Sequence, residues 1–200
     1  MIIGITGPIG SGKTTAAKIF SRHHFARIDA DEIGHRIIKK NSVAYKKIIK
    51  EFGNEILDKK KNIDRKKLGN IVFNDDKKLK KLNSIAHPII VSAIKDKIKK
   101  IKAECGDNSK IVIDAPLLLE TETKNLADKI IVVKSSKEKI VKRLSKKYTK
   151  EKIEKILKVQ MPLYKKLKHA DFVIDNSKGL KRLEEQVVKI INHLCSLSYK

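Results

Sequence analysis

The chain has few of the residues that cross-link small secreted proteins or stack on nucleic-acid bases. It contains two cysteines in 200 residues, Cys105 and Cys195, no tryptophan, and only 4% aromatic residues. Two distant cysteines exclude a disulfide framework and a zinc site built from paired cysteines. Scarce aromatic side chains disfavour a surface on which single-stranded bases stack. We therefore expect a reducing compartment, with cytoplasmic localisation.

Long hydrophobic runs are also absent. The longest apolar runs, such as residues 130–133, are far shorter than the roughly 20 residues that a membrane span needs. Met1 leads directly into an apolar segment typical of a strand, so we expect no signal peptide. We expect no membrane partner. With 40% hydrophobic and 35% charged residues, the composition indicates a globular chain.

Positive charge is abundant, with 47 Lys and Arg against 23 Asp and Glu and a formal net charge of +24. Such an excess is common in nucleic-acid-binding proteins. Here, however, only six of the basic residues are arginine, the side chain favoured for bidentate contacts to phosphates and bases. The favoured interpretation is lysine-rich solvated faces. A field that attracts polyanionic metabolites and a dedicated nucleic-acid surface are the alternatives.

The clearest motif is the run from Gly7 to Thr14, which fits G-x-x-x-x-G-K-[ST] between a strand-like and a helix-like segment. Backbone N–H groups of such a loop converge on one oxyanion, and the following helix adds the positive end of its dipole. Lys13 is expected to reach the β- and γ-phosphates, and the Thr14 hydroxyl to ligate Mg²⁺. The sequence predicts an ATP site formed by Gly7, Gly10, Ser11, Gly12, Lys13, Thr14 and Thr15.

Strand-like and helix-like segments alternate along the chain, which predicts an α/β protein with the P-loop NTPase fold and a doubly wound parallel sheet. The nearly continuous β-branched runs at 111–114 and 129–133 are typical of strands covered on both faces. The helical block between the second and third strands is too long for one crossover. The prediction is a single kinase domain with core segments 1–30, 106–135 and 170–200, an inserted helical subdomain at 31–105 and a helical lid at 136–169.

Local boundaries are predicted from breakers and caps. Pro88 predicts that one helix ends near Ile85 and that a longer one covers 88–105. Ser135, with Glu138 three residues later, is typical of a capping box that opens a helix running through Lys147.

Aspartates follow two of the predicted strands, at the edge where open α/β sheets bind ligands. Asp29 and Asp31 end the second strand, and Asp114 ends the third. Phosphoryl transfer needs one carboxylate to orient the acceptor hydroxyl and others to hold Mg²⁺. Residues i and i+2 share a face of an extended chain, so Asp29 and Asp31 are expected to divide these roles. The alternatives are that Asp31 caps the next helix and that Asp114 only ends its strand.

Several blocks that follow one another along residues 2–176 resemble the dephospho-CoA kinases, the last enzymes of coenzyme A synthesis. The P-loop alone is common to many NTPases, whereas the combination of blocks is far more specific. The blocks lie at 5–14, 28–33, 63–65, 72–73, 82–88, 116–120, 143–144, 160 and 170–176.

The resemblance implies transfer of the ATP γ-phosphoryl group to the ribose 3′-hydroxyl of dephospho-CoA, so both partners are small molecules. Asp31 matches the residue that accepts the hydroxyl proton, and Asp29 stands near the metal that Thr14 and Asp114 also serve. Arg143 matches a catalytic lid residue over the triphosphate, and Asn176 a loop against the adenine. The acceptor side is matched by Arg65, His87, Pro116, Leu117 and Leu118. His87 by itself is also typical of a helix cap before Pro88.

The chain departs from the family pattern at four positions. Pro8 and Lys61 stand where the family usually has glycine, and Lys147 and Ile156 where it carries lid arginines. Lysine keeps the charge but loses the bidentate fork, and isoleucine keeps neither. Two other functions stay open: another small-molecule P-loop kinase, such as one acting on nucleoside monophosphates, and a basic nucleic-acid-binding NTPase. The sequence makes no prediction of the oligomeric state.

Overall fold

The chain folds around a parallel β-sheet. The computed structural model describes residues 1–146 and 148–197, and the side chains of all of these except 150–152, 155 and 197. The strands of the described part are β1 (Ile2–Thr6), β2 (Ala26–Asp29), β3 (Ile111–Asp114), β4 (Lys129–Lys134) and β5 (Phe172–Asp175). They form one sheet in the order β2-β3-β1-β4-β5, and every pairing among them is parallel. The predicted α/β class is confirmed.

Helices connect these strands. They are α1 (Lys13–Arg22), α2 (Ala30–Ile37), α3 (Val43–Phe52), α4 (Arg65–Val72), α5 (Asp76–Cys105), α6 (Lys137–Leu144), α7 (Lys150–Val159), α8 (Leu163–Leu167) and α9 (Leu180–Leu197). Short 3₁₀ turns lie at Asn54–Ile56 and Glu122–Leu126. Among the described residues, no helix combines the length and the apolar character that crossing a membrane requires.

The central strand β1 is where the order of the sheet reverses. The chain enters β1 first, adds β2 and β3 on one side, and adds β4 and β5 on the other. Loops that leave the carboxyl ends of strands on either side of such a point diverge and open a crevice. The glycine-rich run 7–12 leaves β1 at this point and leads into α1. The fold thus places the predicted phosphate loop where open α/β sheets bind ligands.

The largest core lies between the sheet and the helices α1 and α9. Ile3 and Ile5 alternate with Gly4 along β1, so their side chains share one face and are completely buried there. Phe20 of α1 and Val187 of α9 belong to the same buried cluster. This face of the sheet holds α1, and with it the phosphate loop, in a fixed position.

Clustering of contacts divides the chain into two compact units. One comprises Met1–Asp29 and Lys97–Lys200, and the other is Ala30–Asp96. The second unit has a core of its own, formed by Ala44, Tyr45, Ile48, Phe52, Ile56, Ile63, Leu68 and Val72. The division into core, insert at 31–105 and lid at 136–169 describes functions, and stays a prediction.

The prediction of two helices on either side of Pro88 is wrong. α5 runs without interruption from Asp76 to Cys105 and contains Pro88 in its interior. Proline removes one N–H from the helix and typically costs about 3 kcal/mol or more, but its fixed φ is compatible with a helical backbone. Burial of Val91, Ile94 and Ile98 beyond the proline offsets that cost. His87 therefore lies inside a helix, and its interpretation as a cap is also wrong.

The helix after β4 begins one residue later than predicted. Ser136, rather than Ser135, is its cap, and the Ser136 side chain accepts from the backbone N–H of Lys139. Ser135 is buried instead, and its hydroxyl donates to the carbonyl of Asn176 at 3.2 Å. Both serines suit a helix start locally, so a tertiary contact decides between them. α6 ends at Leu144, and the predicted end at Lys147 lies outside the described residues.

Candidate active site

The loop between β1 and α1 has the backbone that its glycines predict. Gly12, the residue before α1, has a φ of +99°, in the left-handed region that costs other residues about 1–2 kcal/mol. A Cβ on Gly12 would lie 2.1 Å from Asn176 Nδ2, and one on Gly7 would lie 2.2 Å from the Val133 carbonyl oxygen. Both glycines are therefore required by the packing around the loop. The loop also turns on itself, since the Ser11 N–H donates to the Pro8 carbonyl at 3.1 Å.

We expect Gly12→Ala to abolish measurable nucleotide binding and to lower the free energy of unfolding by more than about 2 kcal/mol, since strain and overlap add. Gly106→Ala is the matched control, because Gly106 also has a positive φ, +85°, but nothing lies within 4 Å of its added Cβ. That control should cost about 1 kcal/mol and leave nucleotide affinity unchanged. Thermal unfolding and ADP calorimetry measure both quantities. If both substitutions lowered stability and nucleotide affinity equally, the close contact between Gly12 and Asn176 would not be the cause.

Two side chains hold the carbonyl groups of the loop. Arg143 Nη1 donates to the Gly10 carbonyl at 2.9 Å, and Asn176 Nδ2 donates to the Ser11 carbonyl at 2.8 Å. Arg143 Nη2 also donates to the Asn176 carbonyl at 3.1 Å, which joins the two braces. The C=O and N–H of one trans peptide point in opposite directions, so the Gly12 N–H points away from Asn176. Fixing the carbonyls thereby orients the N–H groups that phosphate needs.

These contacts describe Arg143 and Asn176 more fully than the sequence did. The sequence places Arg143 over the triphosphate and Asn176 against the adenine, and both roles stay predictions. In the structure, Arg143 donates hydrogen bonds to the loop itself, and the residue Asn176 is 5% exposed. Gln160 adds a third brace, because its Oε1 accepts from the Ile9 N–H at 3.0 Å.

Lys13 begins α1 and forms an ion pair at the end of β3. Its Nζ lies 3.1 Å from Asp114 Oδ1 and 3.5 Å from Thr14 Oγ1, and only 8% of the residue is exposed. Thr14 is half-buried in the first turn of the helix, and Thr15 beside it is exposed. The first N–H groups of a helix have no acceptor within the helix. The start of α1 therefore combines an ammonium group, a hydroxyl and the first N–H groups of the helix, which suits a bound phosphate.

Asp29 and Asp114 end neighbouring strands in register, and one arginine joins them. Arg27 Nη2 lies 2.5 Å from Asp29 Oδ2 and 2.7 Å from Asp114 Oδ2. Burial lowers the pKa of Arg27, but the hydrogen bonds and charges of both carboxylates outweigh that effect, so its pKa rises above the usual value. Arg27 is not among the site residues predicted from the sequence. The available signal is that Arg27 stands two residues before Asp29 on a strand and so shares its face.

A buried lysine holds the segment that follows β3. Lys166 of α8 is 0% exposed, and its Nζ lies 2.8 Å from Glu120 Oε1 and 2.9 Å from the Pro116 carbonyl oxygen. The same Nζ lies 3.4 Å from Thr6 Oγ1 at the end of β1. Burial lowers the pKa of Lys166, and the hydrogen bond and charge of Glu120 oppose this shift. Lys166 thus links the end of β1 to the 116–120 segment.

The predicted acceptor residues of that segment differ in how they are placed. Leu118 is completely buried, and its methyl groups lie directly against Gly4. Pro116 and Leu117 are half-buried. The carbonyl of Pro116 accepts from Lys166 and from Thr6 Oγ1, and that of Leu117 accepts from Thr121 Oγ1. Leu118 therefore packs against β1, and the acceptor contacts of Pro116, Leu117 and Leu118 stay predictions.

Comparison with known proteins identifies the family. A model described as dephospho-CoA kinase matches residues 1–182. The chain belongs to the dephospho-CoA kinase family. A relative of that name from Carboxydothermus hydrogenoformans is 42% identical over 192 residues, 95% of this chain and 92% of its own length. Another from Aquifex aeolicus is 39% identical over 193 residues, 96% of each chain.

Solved structures agree with this assignment. Dephospho-CoA kinase from Campylobacter jejuni superposes with a TM-score of 0.69 and 32% identity over 96% of both chains. A Thermus thermophilus protein reaches a TM-score of 0.81 at 25% identity over 96% of both chains. Shikimate kinase from Acinetobacter baumannii is 14% identical with a TM-score of 0.53, covers 100% of this chain and 95% of its own, and shares the fold alone. The predicted P-loop kinase fold is confirmed, as is the resemblance.

In this member of the dephospho-CoA kinase family, Asp31 is not part of an extended chain. Asp29 is the last residue of β2, whereas Asp31 is exposed in the first turn of α2. The expectation that both aspartates share one face of a strand is wrong, because the helix starts at Ala30. The helix start matters chemically, since a carboxylate in the first turn is stabilised by the positive end of the helix dipole.

The other predicted acceptor residues of this family member lie on separate helices of the unit 30–96. Arg65 is exposed and begins α4, where the Asp64 side chain caps the helix by accepting from the N–H groups of Lys66 and Lys67. His87 is half-buried within α5. Their roles toward the acceptor stay predictions. In the predicted lid, Ile156 is half-buried in α7, and Lys147 lies outside the described residues.

Proposed function

We propose that the chain transfers the γ-phosphoryl group of ATP to the ribose 3′-hydroxyl of dephospho-CoA, releasing ADP and coenzyme A. The observation that carries the proposal is the match of residues 1–182 to the dephospho-CoA kinase family. The geometry of the P-loop supports it, since Lys13 and the start of α1 lie beside two aspartates at one edge of the sheet. ATP and dephospho-CoA are both small molecules, so no polymer is needed as a partner.

The loop positions the donor. Lys13, which pairs with Asp114 in the structure, has an ammonium group that phosphate oxygens attract. The N–H groups at the start of α1 are expected to bind the same phosphate oxygens. Phosphoryl transfer depends mainly on position and on stabilisation of charge, so few other groups are needed. The braces from Arg143, Asn176 and Gln160 keep these donors in place.

The residues beside the loop fit Mg²⁺. Carboxylate and hydroxyl oxygens are the ligands that Mg²⁺ prefers, and Asp29, Asp114 and Thr14 supply them. Asp114 contacts the cationic groups of Lys13 and Arg27, and Asp29 contacts that of Arg27, which supports a cation-binding place here. When bound, Mg²⁺ supplies neutralisation of the β- and γ-phosphate oxygens.

Asp31 acts on the acceptor in this proposal. Its carboxylate orients the 3′-hydroxyl and accepts its proton as the bond to phosphorus forms. Arg65 and His87 bind the charged parts of dephospho-CoA, and Pro116 and Leu117 contact its apolar parts. Closure of the 136–169 segment over the triphosphate excludes water and limits ATP hydrolysis.

A coupled assay of ADP release tests the proposal. Dephospho-CoA should raise ADP release from Mg²⁺-ATP by at least about 10²-fold over the rate with water alone. AMP, CMP and shikimate test the other small-molecule kinases, and single-stranded RNA tests a nucleic-acid-stimulated ATPase. Failure of dephospho-CoA to stimulate, with stimulation by any of the others, would overturn the assignment.

A further inference from the structure

Arg27 has an arrangement that the reaction itself does not require. One nitrogen of its guanidinium group, Nη2, contacts a carboxylate oxygen of Asp29 and one of Asp114. The side chain of Arg27 is 21% exposed, and that of Asp114 is 1% exposed. The shared nitrogen therefore lies between two adjacent carboxylates, where a single cation contacts both.

The two cationic side chains that contact Asp114 are expected to behave differently when a nucleotide binds. Lys13 holds Oδ1 of Asp114, but it begins the P-loop helix and is expected to turn to the phosphates. Arg27 holds Oδ2 from β2, on the side of Asp114 away from β1. Arg27 is thus the cation that stays with the carboxylates after Lys13 has left.

The position of Arg27 is set by these carboxylates more than by its own hydrogen bonding. Its Nε is buried and has no hydrogen-bond partner among the described residues. A buried donor without a partner is unfavourable, so the contacts made by Nη2 outweigh that loss. This indicates that the guanidinium group is held in place by the charges of Asp29 and Asp114.

We propose that Arg27 is a positioning residue that holds Asp29 and Asp114 together and keeps their affinity for a divalent cation low until a nucleotide is bound. Its positive charge repels a second cation at the same oxygens. In the described part of the chain, no three His, Cys, Asp or Glu side chains are grouped as a metal site. Phosphate oxygens supply the missing ligands and the negative charge that outweighs Arg27, so the metal enters with the nucleotide.

Three variants separate charge from packing. Arg27→Gln removes the positive charge. Its side-chain amide N–H still donates to the carboxylates, so we expect this variant to fold. Arg27→Lys keeps the charge without the planar fork. Arg22→Gln is the matched control, because Arg22 is exposed and pairs with Glu184 at the far end of α1, so the net charge changes equally.

The first measurement is binding of Mn²⁺ alone to the nucleotide-free chain by electron paramagnetic resonance. Arg27→Gln should bind Mn²⁺ at least about tenfold more tightly than the wild type. Arg27→Lys and Arg22→Gln should bind Mn²⁺ with an affinity within about twofold of the wild type. The second is ADP calorimetry in EDTA, where Arg27→Gln should lose about fivefold or more in affinity because uncompensated carboxylates repel phosphate. In the wild type, ADP should raise Mn²⁺ affinity at least about tenfold, a test that needs no variant.

The proposal would be overturned if Arg27→Gln bound Mn²⁺ with the same affinity as the wild type. It would also be overturned if Arg27→Lys gained as much Mn²⁺ affinity as Arg27→Gln. Tight Mn²⁺ binding by the nucleotide-free wild type, unchanged by ADP, would also overturn it. The inference rests on the proposed use of Mg²⁺-ATP. Neither measurement contains an acceptor, so a chain that fails the dephospho-CoA assay can still pass this one.

Discussion

Replacing Asp31 with asparagine should lower kcat by about 10²-fold or more, which corresponds to a few kcal/mol of transition-state stabilisation. Asparagine keeps the size of the side chain and a hydrogen-bonding oxygen, but it does not take up the proton of the 3′-hydroxyl. ATP affinity should be unchanged, because the residues proposed to bind the phosphates, 7–15 and Arg143, do not include Asp31. Steady-state kinetics with each substrate varied separately measures kcat and both KM values.

Glu32→Gln is the control for this experiment. Glu32 is the next residue in the first turn of α2, is exposed, and forms an ion pair with Arg36. Its replacement by glutamine therefore removes one negative charge from this turn but leaves the proposed base, Asp31, in place. Its kcat should remain within about twofold of the wild type, as is usual for exposed charges. Near-normal turnover by a clean Asp31→Asn preparation would remove Asp31 from its role. Lys13→Ala should differ from both, because it should lower kcat and weaken ATP binding together.

Lys166→Met should lower the free energy of unfolding by about 3–5 kcal/mol, the usual cost of removing one partner from a buried ion pair. The Lys166 side chain is 0% exposed and that of Glu120 is 18% exposed, so the remaining carboxylate has little access to water. The Pro116 carbonyl loses the same donor. Urea unfolding at neutral pH measures the change.

Two comparisons show whether the buried charge is the cause. Lys165→Met removes a charge from the exposed neighbour in α8 and should change the stability by no more than about 0.5 kcal/mol. Adding Glu120→Gln to Lys166→Met should recover part of the loss, since the amide oxygen still accepts from the Met161 N–H and no unpaired charge remains. A Lys166→Met variant as stable as Lys165→Met would contradict the role of the pair.

The pH dependence of the same variant has a definite sign. Burial holds the pKa of Lys166 in the folded chain below the value of about 10.4 that it has when unfolded. Between these two pKa values the unfolded chain binds more protons, so the contribution of Lys166 to stability rises with pH. The difference in unfolding free energy between wild type and Lys166→Met should therefore grow as the pH approaches about 10.4.

Features encoded by spacing were predictable from the sequence. Four fixed residues identify the P-loop between Gly7 and Thr14, and β-branched runs identify β3 and β4. Aspartates at strand ends predict a ligand edge because parallel strands share that edge. The errors occurred where local signals conflict with packing. Pro88 normally ends a helix, yet α5 continues through it because the residues beyond it are buried.

Side chains chosen by tertiary contacts carry weaker signals. Lys166 is one of 41 lysines, and nothing in its neighbourhood distinguishes it from the exposed Lys165. Its partner Glu120 is 46 residues away in the chain. The D-A-D pattern that ends in Asp31 is compatible with a strand end and with a helix start, and the start of α2 at Ala30 depends on the fold.

The bonds among Gly10, Ser11, Arg143 and Asn176 have a thermodynamic consequence. They join the turn after β1 to the turn after β5, which are separated by 165 residues in sequence at the Asn176–Ser11 bond. The two turns therefore form a single preorganised surface, on which the proposed placement of ATP puts the phosphates at the first turn and the adenine at the second. The entropy of ordering that surface is lost during folding and not during binding. The affinity of the two halves of the ligand should then be largely additive, since these two turns need no further ordering.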